Sequence, residues 1–201
     1  MYLILCYNIC MFSPVLLPEQ SLVIPYYWHE DELWLLAGQK LRGFGAGEMV
    51  FPGGKPTGHE SSSETAIREL HEETGLVISP AELKFLGRLV LASSEPVESQ
   101  VHVYGAEVIL GTPSGPSEPQ IDSSDIRNLK WMRYGQDFDA SACPKDYAGW
   151  IVFALAAIES HTFGIHFISR IERDKAGTML QQTMLLENDK AIAALPQFSY
   201  A

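Results

Sequence analysis

Three carboxylates, Glu69, Glu72 and Glu73, fall at i, i+3 and i+4 in this 201-residue chain. At helical pitch they share one face within about one turn. Like charges that close repel, so a stable helix that gathers them needs a cation to hold; the bland reading is a solvated acidic face. The flanking residues favour the cation. Gly53-Gly54 opens the stretch, Glu60 follows, and Arg68 stands directly before Glu69. Hard ions such as Mg²⁺ or Mn²⁺ take carboxylate oxygens and keep waters that can be activated, which suits hydrolysis of a linkage between phosphates. Glu60 and Arg68 can pair across loop and helix and so fix the loop. The glycine pair allows a tight turn whose backbone carbonyl can face the metal.

A helix must carry these groups, and its signals are local. Ser61-x-x-Glu64 fits a capping box, with Ser62 or Ser63 as alternative caps, and Gly75 suits the residue that ends a helix. Ala66, Ile67, Leu70 and Thr74 form the inner stripe, so one face packs while the other binds. Around it, Ser21–Trp28 and Leu33–Ala37 read as a hairpin across a polar turn, with Pro25 suited to an edge or a bulge. Glu48–Phe51 reads as a short strand that enters the glycine pair. Leu76–Ser79, Leu83–Ala92, Gln100–Leu110 and Asn128–Arg133 read as further strands, and Gly111–Asp125 as a long surface loop. Asp146–His161 is a second helix, strongly apolar. Phe163–Glu172 and Thr178–Leu186 read as a terminal hairpin. This order predicts an α/β (α+β) fold, a mixed central sheet sandwiched by the helices. The domain is expected at 21–186, with an extension at 1–20 and a tail at 187–201.

Composition narrows the partners. Hydrophobic residues make up 46% and charged residues 19%, which is globular. The net charge of −11 argues against nucleic acid or an anionic membrane as a partner. It leaves small phosphorylated ligands open, because a bound divalent ion inverts the local field. Cys6, Cys10 and Cys143 are odd in number and lack zinc-site spacing, so they read as free thiols in a reducing, cytoplasmic compartment. Met1–Leu17 is apolar but interrupted by Asn8 and Pro14, and reads as an extra strand or as residues upstream of a start at Met11. The histidines show no metal spacing, and no serine sits in a nucleophile elbow.

From Gly54 to Leu76 the stretch resembles the Nudix box at every specified position: Gly54, five residues, Glu60, seven residues, Arg68-Glu69-Leu70, one residue, Glu72-Glu73, one residue, Gly75-Leu76. The resemblance implies an α/β/α sandwich and a metal-dependent hydrolase of nucleoside diphosphate linkages. It places the Gly54 carbonyl, Glu69, Glu72 and Glu73 around Mg²⁺ or Mn²⁺. Glu73 is then the principal ligand, and Glu69 aids proton removal or metal binding.

Outside the box, Lys40–Gly47, Val101–Tyr104, Gly111-Thr112-Pro113, Trp131 and the terminal hairpin look like the oxidised-purine nucleoside triphosphatase branch. That likeness implies Phe44 as a base-stacking residue and Lys40 as facing the nucleotide, with Lys55 a further substrate-binding candidate. Two departures stand out. Val50 occupies the place of the branch's base-reading asparagine. Cys143-Pro144-Lys145-Asp146 occupies that of a tryptophan and an aspartate pair, so only Asp146 keeps a carboxylate. Asp125 is chosen as an additional acidic metal ligand, Glu118 second; the alternative for each is an ordinary loop acid. The expected substrate is a nucleoside triphosphate, first an oxidised purine dNTP such as 8-oxo-dGTP, cleaved to nucleoside monophosphate and pyrophosphate. The alternatives are another nucleoside diphosphate-X, such as ADP-ribose or a dinucleotide, and a nucleotide-sensing module without turnover. Oligomeric state, with a homodimer as one option, is not legible.

Overall fold

The computed structural model describes residues 19–43, 45–92, 99–109, 123, 125–163, 165–173 and 179–187. The extension before residue 19 with Cys6 and Cys10, Phe44, Glu118 with most of its loop, and the tail from residue 188 lie outside those residues.

Strands β1 (Glu19–His29) and β2 (Glu32–Lys40) form an antiparallel hairpin with His29 opposite Glu32. Glu30 and Asp31 join them with φ of 50° and 61°. Positive φ at both central residues is the type I′ backbone, whose twist matches that of the strands. Next come β3 (Met49–Val50), β4 (Gly53–Gly54), α1 (Ser62–Thr74), β5 (Leu83–Ala92) and β6 (Ser99–Glu107). After these follow β7 (Ile126–Arg133), α2 (Ile151–Glu159), β8 (Ile165–Arg173) and β9 (Met179–Glu187). The described strands make one sheet in the order β3-β2-β1-β6-β5-β8-β9, with β4 also on β1 and β7 also on β2. The β1–β6 and β5–β8 pairs are parallel and the others antiparallel, so the sheet is mixed.

Strand alternation splits the core between the two faces. Ile24, Tyr26, Leu35, Val103 and Phe167 pack with Trp150, Ile151, Leu155 and Ile158 of α2 and the turn before it. Val23, Tyr104, Ala106 and Val108, which face the other way, pack with Ala66 and Leu70 of α1. The expected sandwich is therefore present. Among the described residues, no helix is long and apolar enough to cross a membrane.

Four local expectations change. Leu76–Ser79 forms no strand, because the left-handed Gly75 turns the chain away after α1 and only Ile78 is buried. The second helix begins at Ile151 rather than Asp146; a 3₁₀ turn at Lys145–Tyr147 precedes it, and Gly149 lies in the break. Pro25 is not on an edge strand. It sits where β1 changes partners on one side, between Leu22 opposite β4 and Tyr26 opposite β2, so its missing N–H costs the ladder little there. The glycine pair itself is a strand, held by β1 with Leu22 opposite Gly53 and Ser21 opposite Gly54.

Candidate active site

The ends of α1 are firmly set, and they fix where its glutamates point. Ser61 Oγ accepts from the Glu64 N–H, and the Glu64 carboxylate accepts from the Ser61 N–H at 2.8 Å, closing the capping box. Gly75 at φ 75° lets its N–H reach His71 O at 2.8 Å. Ser21 Oγ on β1 donates to Ser62 O at 2.6 Å, which ties the first turn of the helix to the strand that also carries Gly53 and Gly54.

Arg68 gathers the carboxylates. Its Nε donates to Glu60 Oε1 at 2.8 Å and its Nη2 to Glu60 Oε2 at 3.1 Å. Nη1 donates to Glu69 Oε1 at 3.0 Å and Glu72 Oε2 at 2.9 Å, and Nη2 also reaches Lys55 O at 2.9 Å. A guanidinium has five N–H donors, and here all are engaged. The like-charge cluster is thus partly relieved from within the chain, with three carboxylates sharing one cation. The Arg68 hydrogen bonds and the Thr57 N–H hold the Glu60 carboxyl down at about 2. Burial raises the Glu69 carboxyl, against the pull of Arg68.

Glu73 is placed differently. It is only 6% exposed, and the Gly53 N–H donates to its Oε2 at 2.8 Å. Burial pushes its carboxyl up to about 7, opposed by that N–H, with Glu69 and Asp125 adding to the rise and Lys40 opposing it. Gly54 is glycine for reasons of space: a Cβ there would overlap the Glu69 carboxylate. At Gly53 a Cβ would strike the backbone of Ser21 and Leu22.

A cavity of about 270 Å³ opens beside these residues. Lys40, Gly54, Glu73 and Asp125 line it, together with an apolar portion that includes Phe51, Leu89, Val101 and Tyr147. Gln20, Val101 and Leu89 stand abreast on β1, β6 and β5 and all reach it. Asp146 enters from the 3₁₀ turn before α2. Val50 lines the cavity too, but it is 6% exposed and packs with Leu36, Ile126 and Leu129. Asp125 Oδ1 accepts from Arg42 Nε at 2.7 Å, joining the segment before β7 to the glycine loop.

Other sequence candidates stand outside this lining. Lys55 is exposed and contributes its backbone oxygen to Arg68. Glu60, Arg68, Glu69 and Glu72 lie on α1 and the loop before it; Glu69 adjoins Gly54, which lines the cavity, and Glu72 is 56% exposed. Cys143 is buried, and burial pushes its thiol up to about 12, leaving it inert. The sequence marks Val101 only within the Val101–Tyr104 run and gives it no role, and Phe51, Leu89 and Tyr147 carry only the general signal of apolar residues in or beside strands and helices.

The donor chemistry suits a hard divalent ion: clustered carboxylates, one of them, Glu73, buried and raised by that burial, beside a side-chain-free backbone at Gly54. Among the described residues, no three acidic, imidazole or thiol groups already converge on one point, since Glu69 and Glu72 turn to Arg68.

Comparison with known proteins adds sequence and fold evidence. The family model described as the NUDIX domain matches residues 21–145. An oxidized purine nucleoside triphosphate hydrolase of Mus musculus is 36% identical over 113 residues, 56% of this chain and 66% of that protein. The match thus spans just under two thirds of that relative. The NUDIX domain of Shewanella oneidensis NrtR, solved with ADP ribose, superposes with a TM-score of 0.55 at 20% identity, covering 76% of this chain and 94% of that one. A MutT protein from Bacillus halodurans superposes with a TM-score of 0.53 at 20% identity, covering 84% and 97%. At such identities these two superpositions speak to the fold alone.

Proposed function

The chain belongs to the Nudix family, and from that premise we propose that it is a divalent-metal-dependent pyrophosphohydrolase of nucleoside triphosphates. The first substrate to consider is an oxidised purine dNTP such as 8-oxo-dGTP, cleaved to the monophosphate and pyrophosphate. The observation that carries this reading is one cavity in which the buried Glu73, Gly54, Lys40 and Asp125 adjoin an apolar recess. A phosphate chain suits the first part and a nucleoside suits the second.

Glu69, Glu72, Glu73 and the Gly54 carbonyl would hold Mg²⁺ or Mn²⁺, with Asp125 as a further acidic candidate. Such an ion, when bound, supplies neutralisation of phosphate charge and a water of lowered pKa. Glu69, raised by burial yet held by Arg68, is suited to take up a proton from the attacking water. Arg68 and Glu60 keep the loop from Gly54 to α1 in place. Lys40 and Lys55 are assigned to phosphate charge, Asp146 to the base, and Phe44, on sequence grounds, to stacking. The partner is then a small nucleotide in a cytoplasmic setting, in keeping with a net charge of −11 that disfavours nucleic acid.

Val50 favours a second reading. An apolar residue packed among Leu36, Ile126 and Leu129 offers no hydrogen bond to a purine edge. A site that loses such partners loses much of its discrimination. Another nucleoside diphosphate-X, such as ADP-ribose or a diadenosine polyphosphate, would then be the better substrate. A panel of 8-oxo-dGTP, unmodified dNTPs, ADP-ribose and diadenosine polyphosphates with Mg²⁺, read by product analysis, separates the two. If 8-oxo-dGTP is turned over no better than dGTP, the oxidised-purine reading falls.

A further inference from the structure

The cavity wall that Asp146 and Tyr147 provide is held by a residue far along the chain. Gln181 on β9 uses both hydrogens of its side-chain amide: Nε2 donates to Asp146 O at 3.2 Å and to Ser169 Oγ at 2.9 Å. Ser169 on β8 is fully buried, and its Oγ lies 2.9 Å from Thr183 Oγ1, so the anchor belongs to the β8–β9 hairpin. Gly149 makes room for this arrangement. A Cβ there would overlap Cδ, Oε1 and Nε2 of Gln181, and the φ of Gly149 is not positive, so alanine fits the backbone but displaces the amide. On its other side the turn is held by rings. Tyr147 lies parallel to Phe51 with centroids 6.4 Å apart, and Trp150 stacks on Phe167 of β8 at 5.5 Å.

We infer that Gln181 is a positioning residue: it fixes the main chain of the turn that presents Asp146 and Tyr147 to the cavity, and so sets how tightly the group borne by the diphosphate is held. This rests on the nucleotide-hydrolase reading above. The residues concerned lie beyond the segment that the family model matches, which ends at 145. The hydrogen bond is to the backbone of Asp146 and involves no residue of α1, where the phosphates would be handled. Losing it should therefore weaken substrate binding and leave the rate of the bound complex alone.

The test is a cycle of Gln181→Ala, Gly149→Ala and the double variant, with Gln181→Met as a variant that keeps the volume and removes both donors. KM should rise about five- to tenfold in each single variant, with kcat within about twofold. The double variant should be no worse than either single one, because both changes break one contact. Amide hydrogen exchange should quicken over residues 145–150 and stay unchanged in α1. Unchanged KM in folded Gln181→Met, a loss of kcat at constant KM, or KM effects that multiply in the double variant would overturn the inference. If the unaltered protein turns over none of the nucleotide panel, the hydrolase reading fails by itself. Exchange at 145–150 then decides the role of Gln181, and unchanged rates there dismiss it.

Discussion

Arg68 holds both carboxylate oxygens of Glu60 by hydrogen bonds of 2.8 and 3.1 Å, and so clasps the loop from Gly54 to the helix that follows it. The same guanidinium spends its other donors on Glu69, Glu72 and the Lys55 carbonyl. A lysine keeps the charge but has three donors on a flexible stem and no planar fork. Arg68→Lys should therefore lose at least about tenfold in kcat/KM and about 1–3 kcal/mol of stability, and Arg68→Ala more. Steady-state kinetics and urea denaturation would measure both. Wild-type kinetics in Arg68→Lys would mean that charge alone suffices and that the fork has no part in orienting Glu69.

Glu73 gives the metal-free protein a pH dependence opposite to that of an ordinary ion pair. Burial lifts its carboxyl from 4.5 to about 7. Between those values the folded state binds the proton more tightly than the unfolded chain. Its contribution is therefore full below pH 4.5 and is lost as pH rises through 7. With chelator present, the urea midpoint should be higher near pH 5 than near pH 8 on account of this group. Glu73→Gln, whose amide oxygen can still accept from the Gly53 N–H, should flatten that difference. The same variant should lose about a hundredfold or more of Mg²⁺-dependent turnover. Mg²⁺ at pH 8 should raise the midpoint of the unaltered protein and leave that of Glu73→Gln unmoved; an equal rise in both would remove Glu73 as a ligand.

Gly54 separates space from conformation. Its φ is not positive, so alanine fits the backbone, but the added carbon meets the Glu69 carboxylate. Glu69 must then swing away from its place between Gly54 and Arg68. Gly54→Ala should cut kcat at least about tenfold while the fold survives with only a modest fall in Tm. Alanine at Gly75 is the contrasting control. There φ is 75° at the end of α1, so the expected cost is stability, about 1 kcal/mol, with kcat little changed. Matching kinetic losses in the two variants would show that the Gly54 effect is general loosening.

What could be read from the chain beforehand was what is local. Ser61, Glu64 and Gly75 mark the ends of α1 within a few residues of one another, and the observed helix, Ser62–Thr74, lies between those signals. The terminal hairpin, expected at Phe163–Glu172 and Thr178–Leu186, appears at Ile165–Arg173 and Met179–Glu187. Strand β4 was hidden because two glycines carry no apolar pattern; only pairing with Ser21 and Leu22 makes them a strand. The apolar side of the cavity was hidden for a different reason. Gln20, Val101 and Leu89 meet because β1 runs parallel to β6 and β6 antiparallel to β5, and no short window of sequence contains that register. Asp146 had a local reading as part of a helix, yet Gly149 and the Gln181 amide make it a turn facing the cavity.

Val50 joins stability to specificity. It is 6% exposed among Leu36, Ile126 and Leu129, and it also borders the cavity. Val50→Asn puts an amide into that apolar cluster, which should cost about 1–3 kcal/mol of stability unless the cavity side satisfies it. An amide that does turn to the cavity gains a purine edge to hydrogen-bond. The kcat/KM ratio for 8-oxo-dGTP over dGTP should then rise at least about tenfold while the ADP-ribose rate stays level. Urea denaturation reports the cost, and competition between the two purine substrates reports the gain. A destabilised variant with an unchanged purine ratio would mean that Val50 is wholly part of the core and that the base, if one binds, is read elsewhere in the cavity.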